Sequence, residues 1–255
     1  MQSNSSDNNT LRNPQAGDTN SVSEQTGNGK KTLRILQVIF ENDIRGYEIP
    51  AFRGAVTRIA GLQNILFHNH EGNNFRYSYP LIQYKTYKEK PMLICIEQGV
   101  NEAHHFFENI QEGIMLGNRP YELRINSLNL FQAELRIDTR FNQYVLLNWL
   151  PFNQENYKTF NQLNNQVEEV LLLEKILTGN ILSFAKGVAW RIDQEIKVRI
   201  TEVGKPKPVS VKSVTRIAIK AAFQSNVVLP ELIGLGKNVS TGFGTIRKNH
   251  TSNKL

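Results

Sequence analysis

The sequence predicts an α+β fold made of two tandem ferredoxin-like (RRM-like) domains, each an antiparallel sheet with helices on one face. Three observations carry this prediction. Strand-like and helical runs between residues 31 and 138 follow the order β-α-β-β-α-β. A comparable series begins near Tyr144, and the late strands alternate cleanly between apolar and basic residues. The implied organisation is a disordered N-terminal extension at 1–30, a first domain at 31–139, a second at 140–247 and a basic tail at 248–255.

Residues 1–30 are almost entirely Ser, Asn, Gln, Asp, Thr and Gly, too polar to bury the surface that would offset ordering entropy. Leu33 to Phe40 is rich in branched residues and has strand length. Pro50 suits the first turn of a helix in which Phe52, Val56, Ile59 and Ala60 recur at helical spacing until Gly61. Two strands follow, Tyr77 to Tyr87 and Pro91 to Glu97, the second holding Cys95 as a small core residue. The positions of His105, Phe106, Ile110 and Ile114 predict a helix from about Asn101 to Met115. Arg119 to Asp138 reads as mostly extended.

In the second half, Tyr144 to Leu150 reads as a strand. Asn153 is a helix cap before an apolar stripe of Tyr157, Phe160, Leu163, Val167, Val170 and Leu171, with Gly179 as the stop. Ile196, Val198 and Ile200 alternate with Lys197 and Arg199. A longer run from Val211 to Phe223 alternates with Lys212, Arg216 and Lys220. Such strands form either an ordinary solvated sheet or a platform for a nucleic-acid backbone.

The chain of 255 residues carries a formal net charge of +7. From Lys205 onward there are nine Lys or Arg and one acidic residue, Glu231; the other 204 residues hold 21 basic and 22 acidic side chains. The whole excess therefore sits in the C-terminal segment, as expected for a polyanionic partner. Charged residues interrupt every apolar run and no signal-peptide pattern opens the chain, which points to a soluble cytoplasmic protein without a membrane partner. One cysteine allows neither an internal disulfide nor a cysteine metal site.

Two motifs carry chemistry. Gly234-Leu-Gly-Lys-Asn-Val-Ser-Thr-Gly-Phe-Gly244 places Gly234, Gly236, Gly242 and Gly244 around Lys237, Ser240 and Thr241. Residues without Cβ can lay their amides against an anion, and the lysine and hydroxyls add donors; a plain glycine-rich turn is the alternative. The other motif is Phe67-His-Asn-His70 in a polar loop. If that loop is extended, His68 and His70 face one substrate, and imidazoles can serve as acid and base at neutral pH. A metal-ligand pair and two idle loop histidines are the competing readings, the former lacking nearby partners. His104 and His105 fall within a helix, and His250 in the tail. Downstream, Tyr77-Ser-Tyr-Pro-Leu-Ile-Gln-Tyr-Lys85 offers aromatics that could stack on bases. It also offers Lys85 as a cation for the scissile phosphate.

Taken together, the two ferredoxin-like halves, the histidine after the first helix and the C-terminal glycine loop resemble the CRISPR-associated endoribonucleases of the Cas-six type, in the repeat-associated RNA-binding superfamily. The paired histidines His68 and His70, with Tyr-Pro-Leu-Ile-Gln-Tyr-Lys85 downstream, resemble that family's paired-histidine branch. The resemblance implies cleavage of precursor CRISPR RNA within repeats, without metal or other cofactor, by attack of a 2′-hydroxyl. The products would be a 2′,3′-cyclic phosphate and a 5′-hydroxyl. It makes His68 and His70 the acid and base, and the Gly234 to Gly244 loop a binder of repeat RNA. Lys212, Arg216 and Lys220 would form part of the track. A non-catalytic RNA-binding subunit of a CRISPR effector complex is the alternative, distinguished by having no need of the histidine pair. Other effector subunits, or a second copy meeting an edge strand, would be the further partners.

Overall fold

The computed structural model describes residues 29–68, 70–71, 74–75, 79–110 and 113–249. Nearly all of the extension read at 1–30 lies outside the described residues, as do Tyr77 and the tail from His250. In chain order the elements are β1 (Lys31–Phe40), α1 (Ile49–Ala60), α2 (Ile65–His68), β2 (His70–Glu71), β3 (Asn74–Phe75), β4 (Ile82–Tyr87), β5 (Lys90–Ile96), α3 (Gln98–Glu108), β6 (Gly113–Leu116) and β7 (Arg119–Glu122). They continue with β8 (Ile125–Trp149), α4 (Gln154–Gln162), α5 (Gln166–Gly187), β9 (Val198–Val203), β10 (Lys207–Val211), β11 (Val214–Val228) and β12 (Thr245–Lys248).

The architecture is the α+β pattern of tandem ferredoxin-like halves, joined through one strand. The main sheet runs β10-β11-β8-β1-β5-β4, with β12 also on β8 and β9 also on β11, every pairing antiparallel. β8 is 25 residues long. Its first half pairs β1 and its second half pairs β11 and β12. The stretches Arg119 to Asp138 and Tyr144 to Leu150 therefore meet in one strand. Asp138-Thr-Arg-Phe-Asn142 is polar but has no Gly or Pro to interrupt an extended chain.

The N-terminal part of the sheet is buried on both faces. Leu36, Val38, Phe40, Leu93, Cys95, Ile82 and Tyr84 pack against Phe52 and Val56 of α1 and Ala103 and Phe106 of α3. The alternate residues Leu33, Ile35, Met92, Ile94 and Ile96 join the core of the C-terminal half, with Leu173, Leu177, Ile181 and Phe184 of α5. This double burial clamps the two halves together through apolar area.

Several local expectations change. The helix expected to reach Met115 stops at Glu108, and Ile114 lies in the β6–β7 hairpin, whose turn uses Gly117 at φ +64°. The single helix after Asn153 is two. Asn153 caps α4 through Asn156 N–H at 2.6 Å, and Asn165 then caps α5 through Val167 N–H at 2.9 Å. Gly179 does not stop α5, because the buried stripe from Leu173 to Phe184 carries the helix through it. Val167 and Leu171, read as part of that stripe, are exposed. The run from Val211 to Phe223 is not one strand: Lys212 and Ser213, at φ +49° and +63°, turn the chain between β10 and β11. Among the described residues no helix is long and apolar enough to cross a membrane.

Candidate functional site

His68 is the last residue of α2, not part of an extended loop. His68 and His70 do not share one extended segment, since His70 opens β2. α2 is one turn long, and its final carbonyls need partners from outside the helix. Thr57 Oγ1 and Tyr84 Oη donate to the Phe67 carbonyl at 3.3 and 2.9 Å, and Arg53 Nη2 donates to the His68 carbonyl at 2.5 Å. The His68 ring is placed too: Nε2 lies 2.7 Å from the Leu62 carbonyl. A carbonyl only accepts, so a neutral ring carries its proton on Nε2 and has Nδ1 as its basic nitrogen.

The glycine segment folds back on itself as a loop clasped to the N-terminal half. Leu235 N–H donates to the Gly244 carbonyl at 2.8 Å, and Gly234 bridges Thr245. Gly244 sits at φ +65°, and a Cβ there would fall 1.8 Å from the Leu235 carbonyl oxygen. Gly242 sits at φ +89°, where a Cβ would come within 3.0 Å of Ile49 and 3.3 Å of the Tyr84 carbonyl. The close approach these glycines permit is to the protein itself.

Their amides are committed as well. Gly234 N–H donates to Gln83 Oε1, Gly242 N–H to the Val239 carbonyl and Gly244 N–H to the Asn148 carbonyl. The amide cradle expected of Gly234, Gly242 and Gly244 is thereby corrected. Outward-facing groups come from other positions: Lys237 is exposed, and Ser240 and Thr241 are half-buried.

Three turns of α1 bring the two motifs together. Ile49 abuts Gly242, Arg53 reaches Ser240 Oγ at 3.4 Å, and Thr57 holds Phe67. Residues four apart share a helix face, so one side of α1 aligns the glycine loop with the end of α2. Arg53 was invisible to the sequence reading, a lone cation in a helix with no motif around it. Its one signal is position, since it shares a helix side with Ile49 and Thr57, which are buried. Burial pushes its guanidinium pKa below the usual arginine range, against a smaller opposing effect of Tyr84.

The Tyr-Pro-Leu-Ile-Gln-Tyr-Lys segment serves as a fastening. Tyr79 Oη donates to the Gly234 carbonyl at 2.9 Å, and Gln83 Nε2 donates to Tyr79 Oη at 2.8 Å and the Pro80 carbonyl at 3.0 Å. Tyr79 stacks edge-on with Phe184, and Tyr84 with Phe52, so neither ring is available to a base. Burial raises the pKa of both phenols well above the usual range.

Lys85 is corrected too. Its side chain is 1% exposed and donates from Nζ to Thr245 Oγ1 at 3.0 Å, and Thr245 in turn donates to the Gly242 carbonyl at 3.1 Å. An amine so placed pins β4 to the glycine loop and is shielded from a phosphate. Desolvation lowers its pKa to about 7.

The expected basic strand becomes a hairpin. Lys212 lies at its tip, Arg216 is half-buried opposite Val209, and Lys220 is exposed. His104 and His105 of α3, with Glu108, place ligand atoms within 4.8 Å of one another, but His104 Nδ1 already meets the Asn101 carbonyl and His105 pairs with Glu102.

Comparison with known proteins places this geometry. Residues 31–134 match the Cas6b N-terminal domain and residues 136–249 the Cas6b C-terminal domain. The chain belongs to the Cas6b family. A crystal structure of Cas6b is 26% identical, covers 86% of this chain and all of its own, and superposes with a TM-score of 0.74. The crystal structure of a CRISPR RNA processing endoribonuclease Cas6b shares the fold at 22% identity, again over 86% of this chain and all of its own, with a TM-score of 0.67. An uncharacterized protein of Methanocaldococcus jannaschii is 33% identical over 98 residues, 38% of this chain and 65% of that relative. The Cas6b family thus spans the halves that α1 and β8 hold together here.

Proposed function

We propose that this Cas6b-family chain is an endoribonuclease that cuts precursor CRISPR RNA within its repeats, without a metal ion. The observation that carries the reading is the meeting of His68 with the glycine loop through Arg53. In this reading the half at 31–139 holds the acid–base groups and the half at 140–247 supplies most of the grip.

The reaction needs a base for the 2′-hydroxyl, a cation beside the phosphorane and an acid for the leaving oxygen. His68 Nδ1 takes the 2′-hydroxyl proton, the tautomer set by Leu62 making that nitrogen the acceptor. The 2′-oxygen then bonds to phosphorus as the bond from phosphorus to the 5′-oxygen breaks, and His70 donates a proton to that oxygen. A 2′,3′-cyclic phosphate and a 5′-hydroxyl result. Arg53, bonded to the His68 carbonyl, takes over the phosphate-neutralising role expected of Lys85. Lys237, Ser240 and Thr241 of the loop and Lys212, Arg216 and Lys220 of the hairpin hold the RNA backbone, with Gly234, Gly236, Gly242 and Gly244 shaping the loop.

The test is incubation of the full chain with end-labelled repeat RNA in excess EDTA. One cut leaving a cyclic-phosphate end is expected. The double variant H68A/H70A is expected to lose cutting while binding within about twofold of the parent. Cleavage that requires a divalent ion, or normal cutting by the double variant, would refute this mechanism.

A further inference from the structure

A second feature lies beside the glycine loop, at the start of α1, whereas His68 is held further along that helix by Arg53. The feature is a cavity of about 610 Å³, bounded by the start of α1, the end of β4, β10 and β12. Its volume falls within the roughly 300–1,000 Å³ typical of sites for small ligands. Lys88, Ser210, Thr241 and Arg247 contribute to its wall, Lys85 is buried behind it, and Tyr47, 81% exposed, stands at its edge.

The electrostatics are one-sided. Among the described residues no Asp or Glu lines the cavity. The nearest acids in sequence are engaged elsewhere, Glu48 with Arg119 and Glu89 with Arg45. Arg247 and Lys88 lie over the same ring, that of Tyr87, at 5.5 and 5.6 Å from its centroid. Both cations are exposed and both belong to the wall, together with the hydroxyls of Thr86, Ser210, Thr241 and Thr245. Paired cations fit a phosphodiester, and an exposed tyrosine ring beside them fits the face of an unpaired base.

The position selects the ligand. Thr241 and Gly242 belong both to this wall and to the loop that Arg53 ties to His68. Along α1 the separation from Pro50, in the wall, to Thr57, beside Phe67, is seven residues, about 10 Å of helix rise. A strand crossing the glycine loop from His68 reaches the cavity within a few nucleotides.

We propose that this cavity is a subsite for one unpaired ribonucleotide close to the cut, its base against Tyr47 and its phosphate on Lys88 and Arg247. The proposal rests on the endoribonuclease reading above. It makes the pocket a determinant of where along an unpaired segment the chain cuts.

The test uses the full chain and a fluorescein-labelled repeat RNA in which each nucleotide near the cut is replaced in turn by an abasic ribose. The parent protein is expected to lose about tenfold in affinity at one position, as base–aromatic stacking implies. Tyr47→Ala should lose a similar factor on intact RNA and nothing more on that abasic RNA. K88A/R247A should lower the slope of log affinity against log salt by about 1.4, two single-strand phosphate contacts at roughly 0.7 each. All three side chains are exposed, so the parent unfolding temperature should be kept. Variants that cut normally and bind every RNA of the series as the parent does would overturn the subsite and leave the endoribonuclease reading standing. A uniform loss in Tyr47→Ala, without a shared abasic position, would overturn it as well. A parent protein that neither binds nor cuts the RNA would overturn both.

Discussion

Arg53 and Ser240, 187 residues apart in sequence, meet at 3.4 Å where α1 faces the glycine loop. The other nitrogen of the same guanidinium donates to the His68 carbonyl at 2.5 Å. An arginine fork can serve both partners because its donors are fixed in one plane; a lysine offers a single ammonium at the end of a flexible stem. The half-buried setting makes the exchange of water for these two oxygens worth more than it would be at the surface.

Arg53→Ala is therefore expected to act on both stability and rate. Losing the donor to the His68 carbonyl costs about 1–3 kcal/mol, read as a lower urea midpoint. Single-turnover cleavage is expected to fall at least tenfold while RNA affinity changes much less. Arg53→Lys should restore part of the stability but little of the rate. A variant that cuts at the parent rate would remove Arg53 from the site.

Gln83 is fully buried, and its amide ties Gly234, Tyr79 and Pro80 into one network. Gln83→Leu keeps the approximate volume and strands these partners, so a loss of about 3 kcal/mol is expected. The location of the damage distinguishes this from a general core defect. Amide exchange should accelerate across residues 234–244 before it does in α5. Uniform acceleration would mean that Gln83 does not hold the loop.

Much of this was legible in the sequence, because the signals were local. Asn153 announced a helix cap, and Leu33 to Phe40 a strand. The glycine segment and the histidine segment were both singled out. Their relation was not legible, since nothing local to either names Arg53 as the link. The error over Lys85 has the same origin: a lysine on a strand looks solvated until Thr245 arrives from the other end of the chain. At Lys212 a local signal was available. Val211 and Val214 break the two-residue period, which is how a two-residue turn shows itself.

The buried Lys85 makes stability depend on pH in a predictable direction. Its folded pKa is lowered from 10.5 to about 7 by desolvation. Between those values the unfolded chain binds the proton and the folded chain does not, so raising pH through this window favours folding. The contribution of this one group approaches about 1.4 kcal/mol per pH unit in the middle of the window. Urea unfolding at pH 7, 8 and 9 should show the parent gaining stability relative to Lys85→Met, which has no such group. At pH 7 and below the variant should approach or exceed the parent, despite losing the bond to Thr245. A difference between the two that does not vary with pH would mean the lysine keeps its charge when buried.

Two glycines make a paired test of the loop's packing. At Gly244 the backbone is left-handed and a Cβ would strike the Leu235 carbonyl oxygen, so Gly244→Ala requires the loop to shift. A loss of more than about 2 kcal/mol is expected, combining the strained φ with the contact. At Gly179, inside α5, a Cβ would meet no atom within 4 Å. Gly179→Ala should instead raise stability by about 0.5–1 kcal/mol, the helix-interior preference for alanine. Both are read as urea midpoints, with single-turnover cleavage measured alongside. Gly244→Ala should also slow cleavage, because displacing Gly244 displaces Ser240 from Arg53, whereas Gly179→Ala should cut at the parent rate. Equal effects of the two substitutions would show that the loop tolerates a side chain where the structure leaves no room for one.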